Sequence, residues 1–351
     1  HSFSTPALRS SSPGTSMQFH LVVPGLAWPT AVFGKLPAQP RLTALPILLG
    51  HAGAAWQQPV ALETWLAGEF GLSGTRLPYA QLRRLGEHTG GATGPHWLCC
   101  DPGHLHFSRD RMLLADASGL SITRDEADTL MAGINETFAD IGRFEAPSPD
   151  RWYVALAAEP KPFFHPIADV NGRPVQLFMP EGEDIGRWAR LSCELEVWLY
   201  NHPVNAAREA AGQRTINGVW LWGAGPRDMP ARSPASHIQA DLPFARGLAR
   251  HAGIDAEAAD RYREQPGTTL AVVDSLQRPA LHMDSAAWLA GVEQLDADWF
   301  TPLLAALKAR RISQLRISAP GDKHFLNLDV SASGLWKFWR KPRPLAALLA
   351  T

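Results

Sequence analysis

Short apolar runs that alternate with helix-patterned segments limit the fold of this sequence more than any other feature. Residues 19–23 form the first run, which Pro24-Gly25 closes. Later runs cover residues 219–222, 270–273 and 312–317. Runs of this length, bounded by turn residues, are typical of buried parallel strands. With helices between them, such strands form a mostly parallel sheet covered by helices on both faces. The pattern therefore predicts an α/β fold.

Capping residues and helical periodicity predict where the helices lie. Thr123 and Glu126 form a capping box, in which the threonine side chain and the glutamate side chain each bind the other's backbone amide. The helix that they start is expected to reach about Phe138. An apolar stripe at helical spacing predicts a longer helix over residues 184–200. Further helices are expected at residues 41–50, 60–70, 285–293 and 297–309.

The parallel-sheet pattern is interrupted, which predicts the domain organisation. It runs to about residue 90, where three glycines fall within residues 89–95, and it resumes near residue 217. Between these points the sequence has the strands and helices of a separate α+β module. We expect a flexible N-terminal extension at 1–16 before a natural start at Met17, a first core part at 17–94, an inserted α+β domain at 95–215, and a second core part at 216–351.

Composition excludes several classes of protein. Of the 351 residues, 45% are hydrophobic and 19% are charged, which is the balance of a folded chain. The formal net charge of -1 disfavours nucleic acid or an anionic membrane as a partner of the protein as a whole. No apolar run approaches the ~20 residues that span a bilayer. Three cysteines without a C-x-x-C spacing indicate free thiols and a cytoplasmic protein.

One segment resembles a known family. It reads His202-Pro203-Val204-Asn205-x-x-Arg208, followed by Gly212, Asn217 and Gly223-Ala224-Gly225. This is similar to the H-P-x-N-x-x-R…N…G-x-G signature of archaeal-type cofactor-independent phosphoglycerate mutases. The preceding module, from Asp101-Pro102-x-His104 to the strand at residues 151–157, resembles the inserted domain of that family. The likeness covers roughly residues 96–230 and is closest to a bacterial branch that is sometimes labelled regulatory.

The resemblance implies an alkaline-phosphatase-like core with two divalent metals and a serine or threonine that is transiently phosphorylated. In such cores the first strand ends in Asp-Gly, whereas this one ends in Pro24-Gly25. Residues 53–59, where the nucleophile is expected in a glycine-rich turn, contain no hydroxyl or thiol. Residues 274–279 and 318–322 lack the adjacent Asp-His pairs of the family. We therefore predict no catalytic residue, no metal site and no cofactor.

The signature itself supplies the predicted binding residues. We predict that a small anionic ligand contacts the set His202, Asn205, Arg208, Asn217, Gly223 and Gly225, with Arg208 giving a bidentate grip on phosphate or carboxylate. An alternative is structural: His202 and Asn205 cap the helix boundary around Pro203, and Arg208 pairs with a local carboxylate. The glycines lack the Lys-Ser/Thr of a nucleotide loop and are better explained as a tight strand-exit turn.

Other residues give weaker evidence of a functional site. His104 and His106 alternate on a strand, but no third zinc ligand is near them in sequence. Glu194 and Glu196 point to different sides of a helix, and Ser275 has no G-x-S-x-G context. Residues 336–341 mix aromatics with cations. This segment is either a contact for a membrane surface or partner, or an edge strand with its aromatics inward and its cations outward.

These observations favour a catalytically degenerate, phosphoglycerate-mutase-like protein with a regulatory or binding role. Its partner would be a small anionic, phosphorylated metabolite or another protein, and not nucleic acid. The alternative is an active phosphotransferase or phosphoglycerate mutase whose metal ligands have moved to other positions. A purely structural interaction protein, with its ancestral cleft filled by tryptophans, is a further possibility.

Overall fold

The computed structural model describes residues 17–28, 38–87 and 95–349. Its strands are β1 Gln18–Val22, β2 Gly53–Gln57, β3 His96–Ser108, β4 Arg111–Asp116, β5 Arg143–Ser148, β6 Arg151–Leu156, β7 Gly218–Trp222, β8 His237–Ala240, β9 Thr268–Val272, β10 Gln314–Ala319 and β11 Phe325–Ser331. Its helices are α1 Leu45–His51, α2 Leu62–Glu69, α3 Tyr79–Leu85, α4 Arg124–Thr137, α5 Ile167–Val170, α6 Ile185–Tyr200, α7 Pro203–Ala210, α8 Pro243–His251, α9 Gln277–Leu281, α10 Ser285–Leu295, α11 Thr301–Lys308 and α12 Leu345–Leu349.

The chain divides into two compact units. Unit 1 contains the described residues up to Leu62, then Pro234–Ala240, and the chain from Glu257 onward. Unit 2 contains the described residues of Glu63–Ser233 together with Asp241–Ala256. Unit 1 is therefore assembled from three separate stretches of sequence.

Unit 1 is built on a six-stranded sheet in the order β2-β11-β10-β1-β9-β8. The strands β10, β1, β9 and β8 pair in parallel, while β11 runs antiparallel to both β10 and β2. One face of the sheet carries Phe19, Leu21, Leu315 and Ile317, which are buried in the apolar core of this unit. Helices α10 and α11 contribute further apolar residues to the same core, among them Trp288. The predicted α/β class, with a mostly parallel sheet, is confirmed.

A buried carboxylate shows why α1 begins where it does. No side chain of the residue before this helix caps it. Instead, Asp296 accepts hydrogen bonds from the backbone amides of Thr43, Ala44 and Leu45. The carboxylate satisfies amides that lack partners within the helix, and its negative charge lies at the positive end of the helix dipole. Asp296 begins a π-helical turn, Asp296–Phe300, which continues into α11.

Unit 2 is built on an antiparallel sheet in the order β4-β3-β6-β5, with β7 paired to β3. The helices α4 and α6 supply apolar residues to its core, together with Trp152 and Tyr153 of β6. The capping box predicted for α4 is present: the Thr123 side chain accepts from the Glu126 amide, and the Glu126 side chain accepts from the Thr123 amide. The predicted helix over 184–200 corresponds to α6.

Several predictions need correction. The segment at 53–59, expected to be a turn before a helix, contains the edge strand β2, which pairs with β11. The run at 219–222, assigned to the core, lies in β7 and therefore in the sheet of unit 2, because it pairs antiparallel with β3. The division at Leu62 and at Ser233 also differs from the predicted boundaries at 95 and 216. The predicted extension at 1–16 and the predicted breakpoint at 89–94 lie outside the described residues.

Candidate functional site

The predicted binding signature lies where α6 gives way to α7. His202 is the residue immediately before α7, and Pro203 is the first residue of that helix, a position where no backbone amide is needed. The His202 Nδ1 atom accepts a hydrogen bond of 3.1 Å from the Val204 amide. Burial lowers the pKa of His202, in agreement with a neutral ring whose Nδ1 is an acceptor. His202 thus caps the helix.

The two asparagines of the signature hold backbone segments together. Asn205 is buried, and its Nδ2 donates to the carbonyl oxygens of Leu199 at 2.7 Å and Ile216 at 2.8 Å. Its Oδ1 accepts from the Ile216 amide at 2.7 Å. Asn217 makes a matching pair of bonds with the backbone amide and carbonyl of Leu105. Each amide side chain therefore satisfies backbone groups of residues distant from it in the sequence.

Arg208 is only 2% exposed, and all its guanidinium nitrogens have protein partners. Its Nη1 donates to both carboxylate oxygens of Glu126, at 2.9 and 2.8 Å. Its Nε donates to the Arg214 carbonyl at 2.7 Å, and its Nη2 donates to the Leu120 carbonyl. The carboxylate of Glu126 is also the one that caps α4. Arg208 therefore joins the start of α4 to the loop after α7.

The two glycines lie at the far end of β7, beside the start of α3. Gly223 has a φ of +84°, which favours glycine, and its carbonyl accepts from the Ala80 amide at 2.9 Å. A Cβ on Gly225 would lie 2.7 Å from the Arg76 carbonyl oxygen and 2.7 Å from the Pro78 nitrogen. Both glycines permit the close approach of β7 to α3. This contact supports the strand-exit turn rather than a phosphate loop.

The structure thus brings His202, Asn205 and Arg208 together on one helix and its cap, and it separates them from the glycine pair. A surface groove of about 910 Å³ in unit 2 is lined by His202, with Phe138, Cys193 and Trp198. The substrate-binding role of the six residues stays a prediction. Their contacts in the structure agree with the structural alternative.

A second polar network surrounds Asp101, which the resemblance also includes. Its carboxylate accepts two hydrogen bonds from the Arg83 guanidinium, at 2.9 and 2.7 Å, and one from the Trp222 indole at 2.8 Å. The Tyr153 hydroxyl accepts from Arg83 and donates to Glu87. This network fixes α3 on the sheet of unit 2. Burial is the main cause that raises the pKa of the adjacent Cys99 thiol, which opposes formation of a nucleophilic thiolate there.

The ends of the unit 1 strands are where a two-metal centre would need its ligands. The strand β1 is followed by Val23 and Pro24, which offer no donor side chain. Asp274 follows β9 by two residues, and Asp322 and His324 lie between β10 and β11. Among the described residues, no three His, Cys, Asp or Glu side chains are grouped so as to hold a metal ion. Outside those residues the sequence adds only His1 and His88 of these types. The described residues therefore do not assemble the ligand set that a two-metal centre needs.

Unit 1 has instead a polar cavity of about 360 Å³ beside the N-terminal halves of its central strands β10, β1 and β9. Its lining includes His20, Arg316 and Asp329. Arg316 and Asp329 form an ion pair at 2.8 Å, with both side chains about half exposed. The lining therefore includes one positively charged and one negatively charged side chain, on neighbouring strands, and a small polar ligand can reach both.

A buried hydrogen-bond chain supports the cavity floor. The Ser318 hydroxyl donates its single proton to Asn327 Oδ1 at 2.5 Å, so the His20 Nε2 atom, 2.7 Å away, donates to Ser318. Burial, followed by the charge of Arg316, lowers the pKa of His20 to about 4. The ring is therefore neutral near pH 7. Because Ser318 gives its proton to Asn327 and not to His20, the pair is not arranged as a nucleophile and its base.

Sequence reasoning missed this face of the sheet. Residues at positions 18 and 20 of β1, and at 314, 316 and 318 of β10, are polar and alternate with the apolar residues of the core face. Strict alternation is the signal of a strand with one polar face. Describing residues 19–23 as a uniformly buried run concealed the contribution of His20.

Comparisons with known proteins agree with the resemblance. No family model matches the chain. A 2,3-bisphosphoglycerate-independent phosphoglycerate mutase of Methanothrix thermoacetophila is 34% identical over 61 residues, which is 17% of this chain and 16% of the relative. Phosphoglycerate mutase 2 of the same type from Methanothermobacter thermautotrophicus is 30% identical over 132 residues, covering 35% of this chain and 31% of the relative. The matches thus span less than a third of the length of these relatives.

Two solved structures are similar over most of their length. The PH0037 protein of Pyrococcus horikoshii has a TM-score of 0.50 and 12% identity, covering 91% of this chain and 88% of that one. A cofactor-independent phosphoglycerate mutase from Thermoplasma acidophilum has a TM-score of 0.45 and 15% identity, covering 90% of both chains. At such identities the first likeness shows a common fold and nothing about activity. The predicted similarity to archaeal phosphoglycerate mutases is confirmed at the level of the family resemblance.

Proposed function

We propose that this chain is a phosphoglycerate-mutase-like protein that has lost two-metal phosphoryl transfer and acts in the cytoplasm by binding, in a regulatory role. The observation that carries the proposal is the donor set at the strand ends of unit 1. Where the resemblance implies Asp-Gly after β1, the chain has Pro24-Gly25. Two cations close together need several carboxylate and imidazole ligands, and the described residues do not assemble them.

The polar cavity of unit 1 is our candidate for the ligand site. Arg316 is the cation of its lining, and half of its side chain is exposed. A phosphate or carboxylate group of a small metabolite can therefore reach the guanidinium while remaining partly solvated. The neutral His20 ring and the hydroxyl and amide groups around it add uncharged hydrogen-bonding partners. The Arg316 guanidinium also donates to Asp329, but it is half exposed. The Arg208 guanidinium is buried and bonds Glu126 and backbone carbonyls, so a ligand cannot reach it without breaking those bonds.

A metal and activity assay tests the catalytic half of the proposal. Purified chain is assayed for phosphoglycerate mutase activity with Mn²⁺, Mg²⁺ and Zn²⁺, and its metal content is measured by elemental analysis. We expect no turnover and no stoichiometric ion. Turnover together with about two tightly held ions per chain would favour the alternative, an active mutase with relocated ligands.

A thermal-shift screen tests the binding half. Phosphorylated metabolites, phosphoglycerate first, are added to wild type and to Arg316→Gln without added metal. A ligand at a hundredfold excess over its dissociation constant stabilises the folded chain by about 2.7 kcal/mol. We expect stabilisation of wild type and its loss in Arg316→Gln, while Arg214→Gln, a substitution of an exposed arginine of unit 2, retains it. Equal stabilisation of all three proteins would show that the ligand does not bind in this cavity.

A further inference from the structure

An aromatic and basic segment at residues 336–341, here called the aromatic-basic segment, is exposed on unit 1. Trp336 is 68% exposed, Phe338 is 90% exposed and Trp339 is 65% exposed. The segment is not an edge strand with its aromatics inward, as one reading of the sequence predicted, because it begins in a 3-10 turn, Ser333–Trp336, and continues without strand pairing. Contiguous exposed apolar side chains of this size mark interaction surfaces in folded proteins.

The charge around these aromatics is positive. Lys337, Arg340 and Lys341 lie within the segment, and Arg343 follows it. No aspartate or glutamate occurs in the sequence after Asp329. A further cation comes from elsewhere in the chain, because the Arg310 guanidinium lies 5.3 Å from the centre of the Trp336 ring. The chain as a whole has a net charge near zero, so the basic character is local to this surface.

The fold holds the segment in place at its C-terminal side. A Cβ on Gly50 would lie 2.2 Å from the Lys341 carbonyl oxygen, so this glycine lets the segment lie directly on α1. The Arg343 amide donates to the Pro46 carbonyl at 2.8 Å. Beyond it, Leu345 and Leu348 of α12 are buried in the core of unit 1.

At its N-terminal side the segment follows Ala332, whose amide donates to the Ser313 carbonyl at 2.9 Å. Leu335, one residue before the segment, packs against the core of unit 1. The chain therefore buries apolar residues on both sides of the segment and presents the three large aromatics outward. Their exposure is a consequence of the fold and not of a loose chain end.

We propose that the aromatic-basic segment docks unit 1 on the surface of an anionic lipid bilayer. Tryptophan is favoured at the depth of the lipid headgroups, where its ring contacts acyl chains and its N–H remains near water. Lysine and arginine beside it are attracted by the negative potential of anionic lipids. The two effects act together on interfacial segments, and such binding needs no membrane-spanning helix. Within the described residues, no helix is both long enough and apolar enough to cross a bilayer.

The ring contacts favour a membrane over single-stranded nucleic acid. Base stacking needs accessible ring faces. One face of Trp336 is approached by Arg310, and Phe338 and Trp339 meet edge-on at a centroid distance of 5.4 Å, so the three rings do not form a continuous platform for successive bases. Phe338, almost fully exposed, can enter a fluid headgroup layer without rearrangement of the fold. A protein partner with an acidic surface, in contrast, would need a preformed pocket that fits the Phe338 side chain.

Sedimentation of the full chain with vesicles tests the proposal. One set of vesicles is phosphatidylcholine alone, and the other contains about 30% phosphatidylserine as the anionic lipid. We expect binding to the anionic vesicles only, weakening as salt rises, since the screening length falls below about 10 Å above 0.1 M salt. The triple variant Trp336→Ala/Phe338→Ala/Trp339→Ala is expected to bind at least about tenfold more weakly, since it removes all three interfacial side chains. The variant Lys337→Glu/Lys341→Glu is expected to lose the preference for anionic lipid.

Phe107→Ala and Tyr200→Ala are the matched controls, because both aromatics are 74% exposed and lie in unit 2. We expect both controls to bind like wild type. Equal binding to both kinds of vesicle, or unchanged binding by the triple variant, refutes the proposal. Binding to a single-stranded oligonucleotide without binding to vesicles also overturns it, in favour of a nucleic-acid contact.

Discussion

Replacing Arg208 with alanine distinguishes a structural signature from a ligand-binding one. The Arg208 side chain is only 2% exposed. Its removal deprives Glu126, the Arg214 carbonyl and the Leu120 carbonyl of the hydrogen bonds that the guanidinium donates. Removing one partner of a buried ion pair costs about 3–5 kcal/mol. Because Glu126 is 20% exposed and still accepts from the Thr123 amide, we expect the low end of that range.

A loss of about 3 kcal/mol corresponds to a melting temperature lower by roughly 10 °C for a unit of this size. Thermal unfolding followed by near-ultraviolet circular dichroism, with no ligand present, measures it. Arg208→Lys should fall between wild type and Arg208→Ala, because one ammonium keeps the charge opposite Glu126 but cannot reach both carbonyls as the guanidinium fork does.

Arg124→Ala is the matched control, since Arg124 forms an ion pair with Asp128 on the surface of the same helix that Glu126 caps, with both side chains well exposed. Exposed pairs contribute about 0–1 kcal/mol, so this variant should melt close to wild type. The structural assignment is wrong if Arg208→Ala melts within about 2 °C of wild type, far less than the expected shift of roughly 10 °C, and also loses binding of phosphoglycerate. Arg208 would then be a ligand-gripping residue.

Two further predictions concern the strand-exit turn and the core sheet. Gly225→Ala should lower the melting temperature, because its Cβ would meet backbone atoms of Arg76 and Pro78 at 2.7 Å, whereas Gly186→Ala, with open space around the new Cβ, should leave it unchanged or slightly raised. His20→Gln should make the free energy of unfolding depend less steeply on pH at acid pH. The pKa of His20 is lowered from 6.5 to about 4, so the unfolded chain binds the extra proton and stability falls as the pH drops through this window. Wild type should lose up to about 3 kcal/mol more than His20→Gln between pH 6.5 and 4, measured by urea unfolding; equal losses would show that the ring is protonated in the folded protein.

Local signals in the sequence determined the elements whose causes are themselves local. The capping box of Thr123 and Glu126 needs only residues three apart, and it fixes the start of α4. Proline at the first position of α7 and the apolar stripe of α6 act in the same way. The α/β class followed from the same reasoning, because short apolar runs between helices have few other ways to bury themselves.

Only the tertiary structure decided where the strands pair and what the polar residues do. The run at 219–222 is apolar whichever sheet contains it, and its pairing with β3, more than a hundred residues earlier, assigns it to unit 2. The start of α1 depends on Asp296, about 250 residues later in the chain. Periodicity within a segment contains no information about such distant partners.

The binding signature around Arg208 shows the same distinction between what the sequence determined and what the fold decided. The sequence supplied the residue types of the signature and the absence of an Asp-Gly after β1, since both are properties of consecutive residues. It left open whether Arg208 holds a ligand or a carboxylate of the chain, because a guanidinium suits both equally well. The fold brings Glu126, 82 residues earlier, to within 2.8 Å of Arg208, and a buried charge is stable only beside such a partner.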